Sequence, residues 1–335
     1  MISKKEKVTD IYADIASVKK KATDAKAVIV ICGPTCTGKT SIAIKLAGIL
    51  STDIVSVDSM QVYKGMNIGT DKYDVKKYGI RQFMVDIISP DVNFTVVDFR
   101  QMCRDLIQKE FFDKKKIPVL AGGSGLYLRA VTDELGFAGS EAIAKHDDTT
   151  AGSKNPGLYQ ELASIDPVYA AKISCNDNKR IIRALEVYKS TGKKFSSFQD
   201  TWEQRKSIYN TIFIGLTAEK NDIFSCIEKR VDSMLKNGLA DEVRGLAEKG
   251  YDKYNSLKQA VGYKEMLNYL KGLEDMGECR QNIIKNTKKL VKKQLTWFKA
   301  DPRINWLSAN IYGNISGLTD KFLEIIRKQL QAWGY

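Results

Sequence analysis

Histidine occurs once in the 335 residues, as His146, and proline only six times. The six cysteines, Cys32, Cys36, Cys103, Cys175, Cys226 and Cys279, are scattered without a C-x-x-C pair. Structural zinc needs closely spaced Cys and His ligands, and a disulfide framework needs dense cysteine in a short chain, so neither is expected. Long apolar runs are missing too: the longest near the start is Ala27–Cys32, against the ~20 residues a membrane helix requires. Residues 1–26 carry Lys4, Lys5, Lys7 and Lys19–Lys21, but also Glu6, Asp10, Asp14 and Asp24 and no arginine. An organelle transit peptide is Arg-rich and poor in acids, so a cytoplasmic protein with no membrane association is expected.

What is present is a core-forming composition, 43% hydrophobic, with a basic balance of 53 Lys+Arg against 40 Asp+Glu and a net charge of +13. The length suits two compact lobes. In the first half, short β-rich runs at Ala27–Cys32, Asp53–Val57, Met84–Ile88 and Ile117–Ala121 alternate with amphipathic stretches at Lys39–Leu50 and Val96–Phe112. That alternation predicts an α/β fold with a parallel sheet flanked by helices. Phe137–Pro156 is polar and aperiodic and reads as a loop or a boundary between lobes. Beyond it the periodicity predicts helices at Asn178–Thr191, Lys220–Lys236, Ala240–Glu248, Lys264–Leu270 and about Cys279–Lys299, with Thr211–Leu216 and Arg303–Leu307 returning to the sheet.

After the first β-rich run comes GPTCTGKT, which is Gly33, Pro34, Thr35, Cys36, Thr37, Gly38, Lys39 and Thr40. It fits G-x-x-x-x-G-K-[ST] and leads at once into the apolar-periodic SIAIKLAGIL. Glycines let successive backbone N–H groups and the N-terminus of the next helix converge on an anion, Lys39 adds a mobile positive charge, and the Thr40 hydroxyl suits Mg²⁺. A phosphate or diphosphate ligand follows. An ATP-hydrolysing machine places an acid at the end of a later strand, yet IPVLAGGSG (Ile117–Gly125) ends in glycines. The acid stands one strand earlier, at Asp58 after DIVSV, which favours group transfer with Asp58 as general base. Taken alone, Asp58 reads equally well as a turn cap.

GPTCTGKT, DSMQVYKGMNIGT (Asp58–Thr70) and GGSGLYLRA (Gly122–Ala130) together resemble the ordered motifs of the tRNA dimethylallyltransferases, or tRNA isopentenyltransferases. The resemblance continues through NDNKRIIRALEVYKSTGK, RVDSMLKNGLADEVRGL, QAVGYKE and KKQLTWFKADPRINWL and covers about residues 27–307. It implies transfer of a dimethylallyl group from dimethylallyl diphosphate to N6 of the adenine 3′ of the anticodon. It also implies a P-loop NTPase-like core over residues 27–135 and 207–335, with residues 136–206 as a smaller, mostly helical insertion domain that contacts tRNA and 1–26 as an extension. In that reading Gly33–Thr40, Lys220 and Arg230 hold the diphosphate with Mg²⁺ at Thr40. Asp58 takes the amine proton, and Lys39 and Ser124 complete the catalytic set. The implied contacts to the tRNA anticodon stem-loop are Asp58, Ser59, Met60 and Gln61; Lys179, Arg180, Ile181, Ile182 and Arg183; and Gln259, Ala260, Val261, Gly262, Tyr263 and Lys264. The last stretch reads also as a helix entry with a packing glycine. A monomer is expected.

The chain departs from the family pattern at four places. Gln82 and Phe83 stand where a His-His pair is common, Ser124 replaces threonine, Lys220 and Cys226 occupy two usually basic positions, and Phe137–Pro156 lacks an expected helix. Independently of the resemblance, eight Lys and Arg between Arg280 and Arg303 face a single acid, Asp301. Ile284, Val291, Leu295 and Phe298 recur at helical spacing, which leaves Lys285, Lys288, Lys289, Lys292 and Lys293 as a basic stripe able to track a phosphate backbone. The rival readings are a P-loop kinase or NTPase, and an adenylate isopentenyltransferase using a free nucleotide. The missing acid near Gly122 opposes the first; the basic stripe and the helical second half oppose the second.

Overall fold

The computed structural model describes residues 15–136, 156–309 and 315–335. Contacts divide the chain into two units, Met1–Val131 with Tyr209–Tyr335, and Thr132–Ile208. The larger holds a six-stranded parallel sheet in the order β3-β2-β4-β1-β5-β6. Its strands are β1 (Ala27–Cys32), β2 (Ile54–Ser56), β3 (Gln82–Phe83), β4 (Val119–Gly122), β5 (Asn210–Thr217) and β6 (Asn305–Ser308). The helices with a role below are α1 (Lys39–Leu50), α2 (Val96–Leu106), α3 (Gly125–Thr132), α4 (Pro156–Ile165), α5 (Asn178–Thr191), α6 (Lys220–Lys236), α7 (Leu239–Glu248), α8 (Tyr263–Leu270), α9 (Met276–Lys299) and α10 (Ile315–Ala332).

All six residues of β1 are buried, as expected for a central strand covered on both faces. Because side chains alternate, Val28, Val30 and Cys32 enter one apolar layer with α2, α6, α8 and α9, while Ala27, Ile29 and Ile31 enter the other with α1 and α10. Residues 15–24 are helical, and Val18, Ala22 and Ala25 are buried in that second layer. Part of the expected N-terminal extension therefore belongs to the core. The Met84–Ile88 run is not a strand: β3 is only Gln82–Phe83, and Met84 and Asp86 have left-handed backbones that break an extended ladder. The smaller unit packs α4 and α5 around Leu162, Tyr169, Ile181, Ala184 and Leu185. The Phe137–Pro156 boundary falls almost wholly outside the described residues. Among the described residues no helix is long and apolar enough to cross a membrane.

The carboxyl ends of β1, β2 and β4 lie side by side, the place where open α/β sheets bind ligands. Glycine is required there for two reasons. A Cβ on Gly33, whose φ is +135°, would lie 2.2 Å from the Leu216 carbonyl oxygen, and one on Gly122 would lie 2.0 Å from that of Val57. Gly122→Ala should therefore pry β4 from β2 and cost ~3 kcal/mol, the upper end of the overpacking range, measurable as a lower denaturation midpoint. A midpoint matching the wild-type chain would show that the strand ends can separate freely.

Candidate active site

The loop from Gly33 to Gly38 leaves β1 and delivers α1, with Gly38 in a left-handed conformation (φ +79°) as its N-terminal cap. No side chain caps that helix, so its first N–H groups remain directed at the site. Lys39 folds back and donates to the Pro34 carbonyl at 2.5 Å. Its ammonium is desolvated and faces Arg230, and these two effects, burial first, pull its pKa down to about 8. A buried ammonium held beside a guanidinium defines a site built for an anion.

Arg230, on α6, donates to the Thr35 hydroxyl at 2.7 Å and pairs with Asp71 at 3.1 Å. Gln294, on α9, accepts from the Thr35 N–H at 2.9 Å and donates to the Gly123 carbonyl at 3.1 Å, tying the phosphate loop to the loop after β4. Asp58 sits at the end of β2. Its Oδ1 accepts from the Met60 N–H at 2.8 Å and the Gln61 N–H at 3.3 Å, whereas Oδ2 has no hydrogen-bond partner among the described residues. Asp58 is thus a turn cap through one oxygen, with the other unbonded among the described residues. Ser124 Oγ accepts from the Ser59 N–H at 3.3 Å, placing its hydroxyl beside that turn.

Two cavities meet at the cations. The outer one, about 560 Å³, is lined by the loop from Thr35 to Thr40 with Cys226 and Arg230. The inner one, about 90 Å³, reaches past Lys39 and Arg230 to Asp58, Gln61, Gln82 and Gly122. Thr35, Lys39, Thr40, Asp71 and Arg230 line both. An anion in the outer cavity and a second reactant in the inner one would face each other across the two cations, with the Asp58 carboxylate on the far side.

A family model described as IPP transferase matches residues 61–301. The tRNA dimethylallyltransferase of Syntrophomonas wolfei is 42% identical over 290 residues, covering 85% of this chain and 92% of that protein. The chain belongs to the IPP transferase family. The full-length tRNA isopentenylpyrophosphate transferase of Bacillus halodurans has the same fold, with a TM-score of 0.68 at 34% identity over 92% of this chain and 97% of that one. A eukaryotic dimethylallyltransferase described as acting on tRNA superposes with a TM-score of 0.76 at 26% identity, covering 89% of this chain and 77% of that one.

In this IPP transferase, Gly33–Thr40, Asp58, Ser124 and Arg230 come together as the motifs imply, but Lys220 does not. Lys220 lies ten residues before Arg230, some 80° around the helix at 100° per residue, and its ammonium rests 5.6 Å from the Phe224 ring centre. Cys226, one turn from Arg230, faces the loop instead. Among the implied tRNA contacts, the side chains of Ile181, Ala260 and Tyr263 are buried and offer no surface to RNA. Ile181 fills the small unit's core, while Tyr263 donates to Glu242 at 2.5 Å. The Gln259–Lys264 stretch is a helix entry: Gly262 has φ +96° and donates its N–H to Glu265 at 2.7 Å. Lys179, Arg180, Gln259 and Lys264 are exposed, Ile182, Arg183 and Val261 half-buried, and Arg180 pairs with Asp177 at 2.6 Å. Ser59 and Met60 are half-buried in the turn after Asp58, and both ends of the Gln61 amide are engaged, by Ser56 and by the Thr70 carbonyl.

Gln294, Asp71 and Glu242 escaped the sequence reading. Glu242 accepts from the N–H groups of Asn67, Ile68 and Gly69, fixing the segment that carries Thr70 and Asp71 into the site. Gln82, noted in the sequence only as a departure, brings an amide to the inner cavity.

Proposed function

We infer that this chain is a tRNA dimethylallyltransferase, with dimethylallyl diphosphate as donor and the adenine 3′ of the anticodon as acceptor. The observation that carries this reading is the pair of cavities joined at Lys39 and Arg230, with the phosphate loop around one and Asp58 lining the other. The diphosphate occupies the outer cavity, held by the loop N–H groups, Lys39 and Arg230. The adenine, unstacked from the anticodon loop, enters the inner cavity with its amine toward Asp58 and Ser124. N6 then forms a bond to C1 of the prenyl group as the C1–O bond breaks. The N6 proton passes to Asp58 Oδ2, and the departing charge falls on the diphosphate between two cations.

Mg²⁺ belongs to the same proposal. Among the described residues no three His, Cys, Asp or Glu side chains converge to cage a metal. The cation would be held by the hydroxyl of Thr40, which lines both cavities, with substrate phosphates and water completing its shell. Bound there, it would add positive charge to the leaving group. The smaller unit as a tRNA contact, a cytoplasmic setting and a monomeric state complete the proposal.

Labelled dimethylallyl diphosphate with Mg²⁺ and tRNA, AMP or ATP tests it: label is expected in tRNA alone. Label in AMP or ATP, or nucleoside triphosphate hydrolysis without RNA alkylation, would overturn it.

The α9 stripe supplies a second prediction. Lys285, Lys289, Lys292 and Lys293 are exposed and without ion-pair partners among the described residues, whereas Lys288 pairs with Glu228 at 2.7 Å and Arg280 with Asp232. Changing those four lysines to glutamine should weaken tRNA binding and flatten its salt dependence, since each lost phosphate contact removes roughly 0.7–0.9 from the log–log slope. An unaltered slope would make the stripe plain solvated surface.

A further inference from the structure

All six cysteines are free thiols, but they are not equivalent. Cys32, Cys103 and Cys279 are buried, and burial pushes each of them up, out of reach of ordinary thiol chemistry. Cys175 is exposed in the smaller unit. Cys36 and Cys226 differ from the rest because both line the outer cavity, one from the phosphate loop and one from α6, where Arg230, one turn from Cys226, bonds Thr35, the residue next to Cys36. Cys36 has a left-handed backbone (φ +63°) in the middle of the loop. The neighbouring Cys226, then Arg230, Thr35 and Lys39, favour the Cys36 thiolate and lower its pKa to about 6, while Cys36 and burial push Cys226 upward. A nucleophilic sulfur, a second thiol beside it and an open cavity meet at one place.

We propose that Cys36 and Cys226 form a peroxide-reactive thiol pair whose disulfide closes the diphosphate cradle. The reagent class is a hydroperoxide. The Cys36 thiolate attacks one oxygen of hydrogen peroxide, the O–O bond breaks, and the departing hydroxide takes back from solvent the proton Cys36 lost and leaves as water, giving a sulfenic acid at Cys36. Cys226 sulfur then attacks Cys36 sulfur, the S–O bond breaks, and the hydroxide takes up the Cys226 proton and leaves as a second water. Two thiols are oxidised and one hydrogen peroxide is reduced to two waters. The new S–S bond pins the loop to α6 beside Arg230, in the space the diphosphate needs. The covalent step is independent of the activity inferred above; only its inhibitory consequence rests on the outer cavity being the diphosphate site.

The full chain is treated with one equivalent of hydrogen peroxide, its remaining thiols are alkylated, and its peptides are mapped by mass spectrometry. A Cys36–Cys226 cross-linked peptide is expected, abolished by dithiothreitol. In Cys226→Ser the reaction should stop at a Cys36 sulfenic acid that dimedone traps. Both cysteines left as thiols at a dose that oxidises Cys175, or Cys36 passing to sulfinic acid without the cross-link, would overturn the pair. In the cross-linked wild-type chain, prenyl transfer to tRNA should fall by about 10²-fold at full linkage, the scale of losing the leaving-group cradle, and return with dithiothreitol. A cross-linked chain that still transfers at full rate would overturn the closure while leaving the thiol chemistry standing. A chain that cross-links but never prenylates tRNA, even when reduced, would refute the activity instead.

Discussion

Asp58→Asn should lower turnover of dimethylallyl transfer by ~10² to 10⁴-fold while leaving tRNA affinity near that of the unmodified chain. The exocyclic amine of adenine is a weak nucleophile because its lone pair is drawn into the ring, so removing its proton as the N–C bond forms is where a base helps most. Asparagine is the informative replacement. Asp58 Oδ1 holds the turn through the N–H groups of Met60 and Gln61, and an amide oxygen can keep both bonds, whereas its NH₂ cannot accept a proton. Alanine would lose cap and base together. Single-turnover rates with saturating tRNA, alongside direct binding of the anticodon stem-loop, separate the two roles. A variant with wild-type turnover would remove Asp58 from the chemistry and leave it a turn cap; a variant that no longer binds tRNA would make it a docking residue.

That double use of one carboxylate shows how far the sequence can be read. Local chain order carries the phosphate loop, because a buried apolar strand, two glycines and an apolar helix are contiguous from Ala27 to Leu50. It also carries Asn178–Thr191 and Lys220–Lys236, whose helical periods are long and unambiguous. What it does not carry is the register between distant helices and the sheet. Lys220 and Cys226 both lie on the helix that carries Arg230, and only the packing of α6 on α9 decides that Cys226 faces the loop. Gln294 did leave a trace: it falls with Val291, Leu295 and Phe298 on the buried side of α9, an amide where an apolar residue is expected. Such a residue needs a polar partner indoors, and the loops carrying Thr35 and Gly123 provide it. Glu242 left none, since an acid in the first turn of a helix is ordinary and its three backbone donors lie more than 170 residues away.

Lys39→Met should reduce kcat/KM for the donor by ~10³-fold, with the greater part of the loss in kcat. In the structure the Lys39 ammonium is bonded to the Pro34 carbonyl and opposed by Arg230, so part of its charge is engaged within the loop itself. Negative charge on the diphosphate grows as the C1–O bond breaks, and a cation at that oxygen gains more in the transition state than in the bound donor. Its removal therefore appears in turnover more than in affinity. Arg230→Lys makes the contrast. It keeps a positive charge near the diphosphate but loses the planar fork that reaches Thr35 and Asp71 together, so the loop is held less firmly and the donor KM should rise more than kcat falls. Steady-state kinetics with varied donor at saturating tRNA distinguish these patterns. If Lys39→Met raised only KM, the lysine would be an anchor for ground-state phosphate, and the stabilisation of departing charge would have to come from Arg230 and the loop N–H groups.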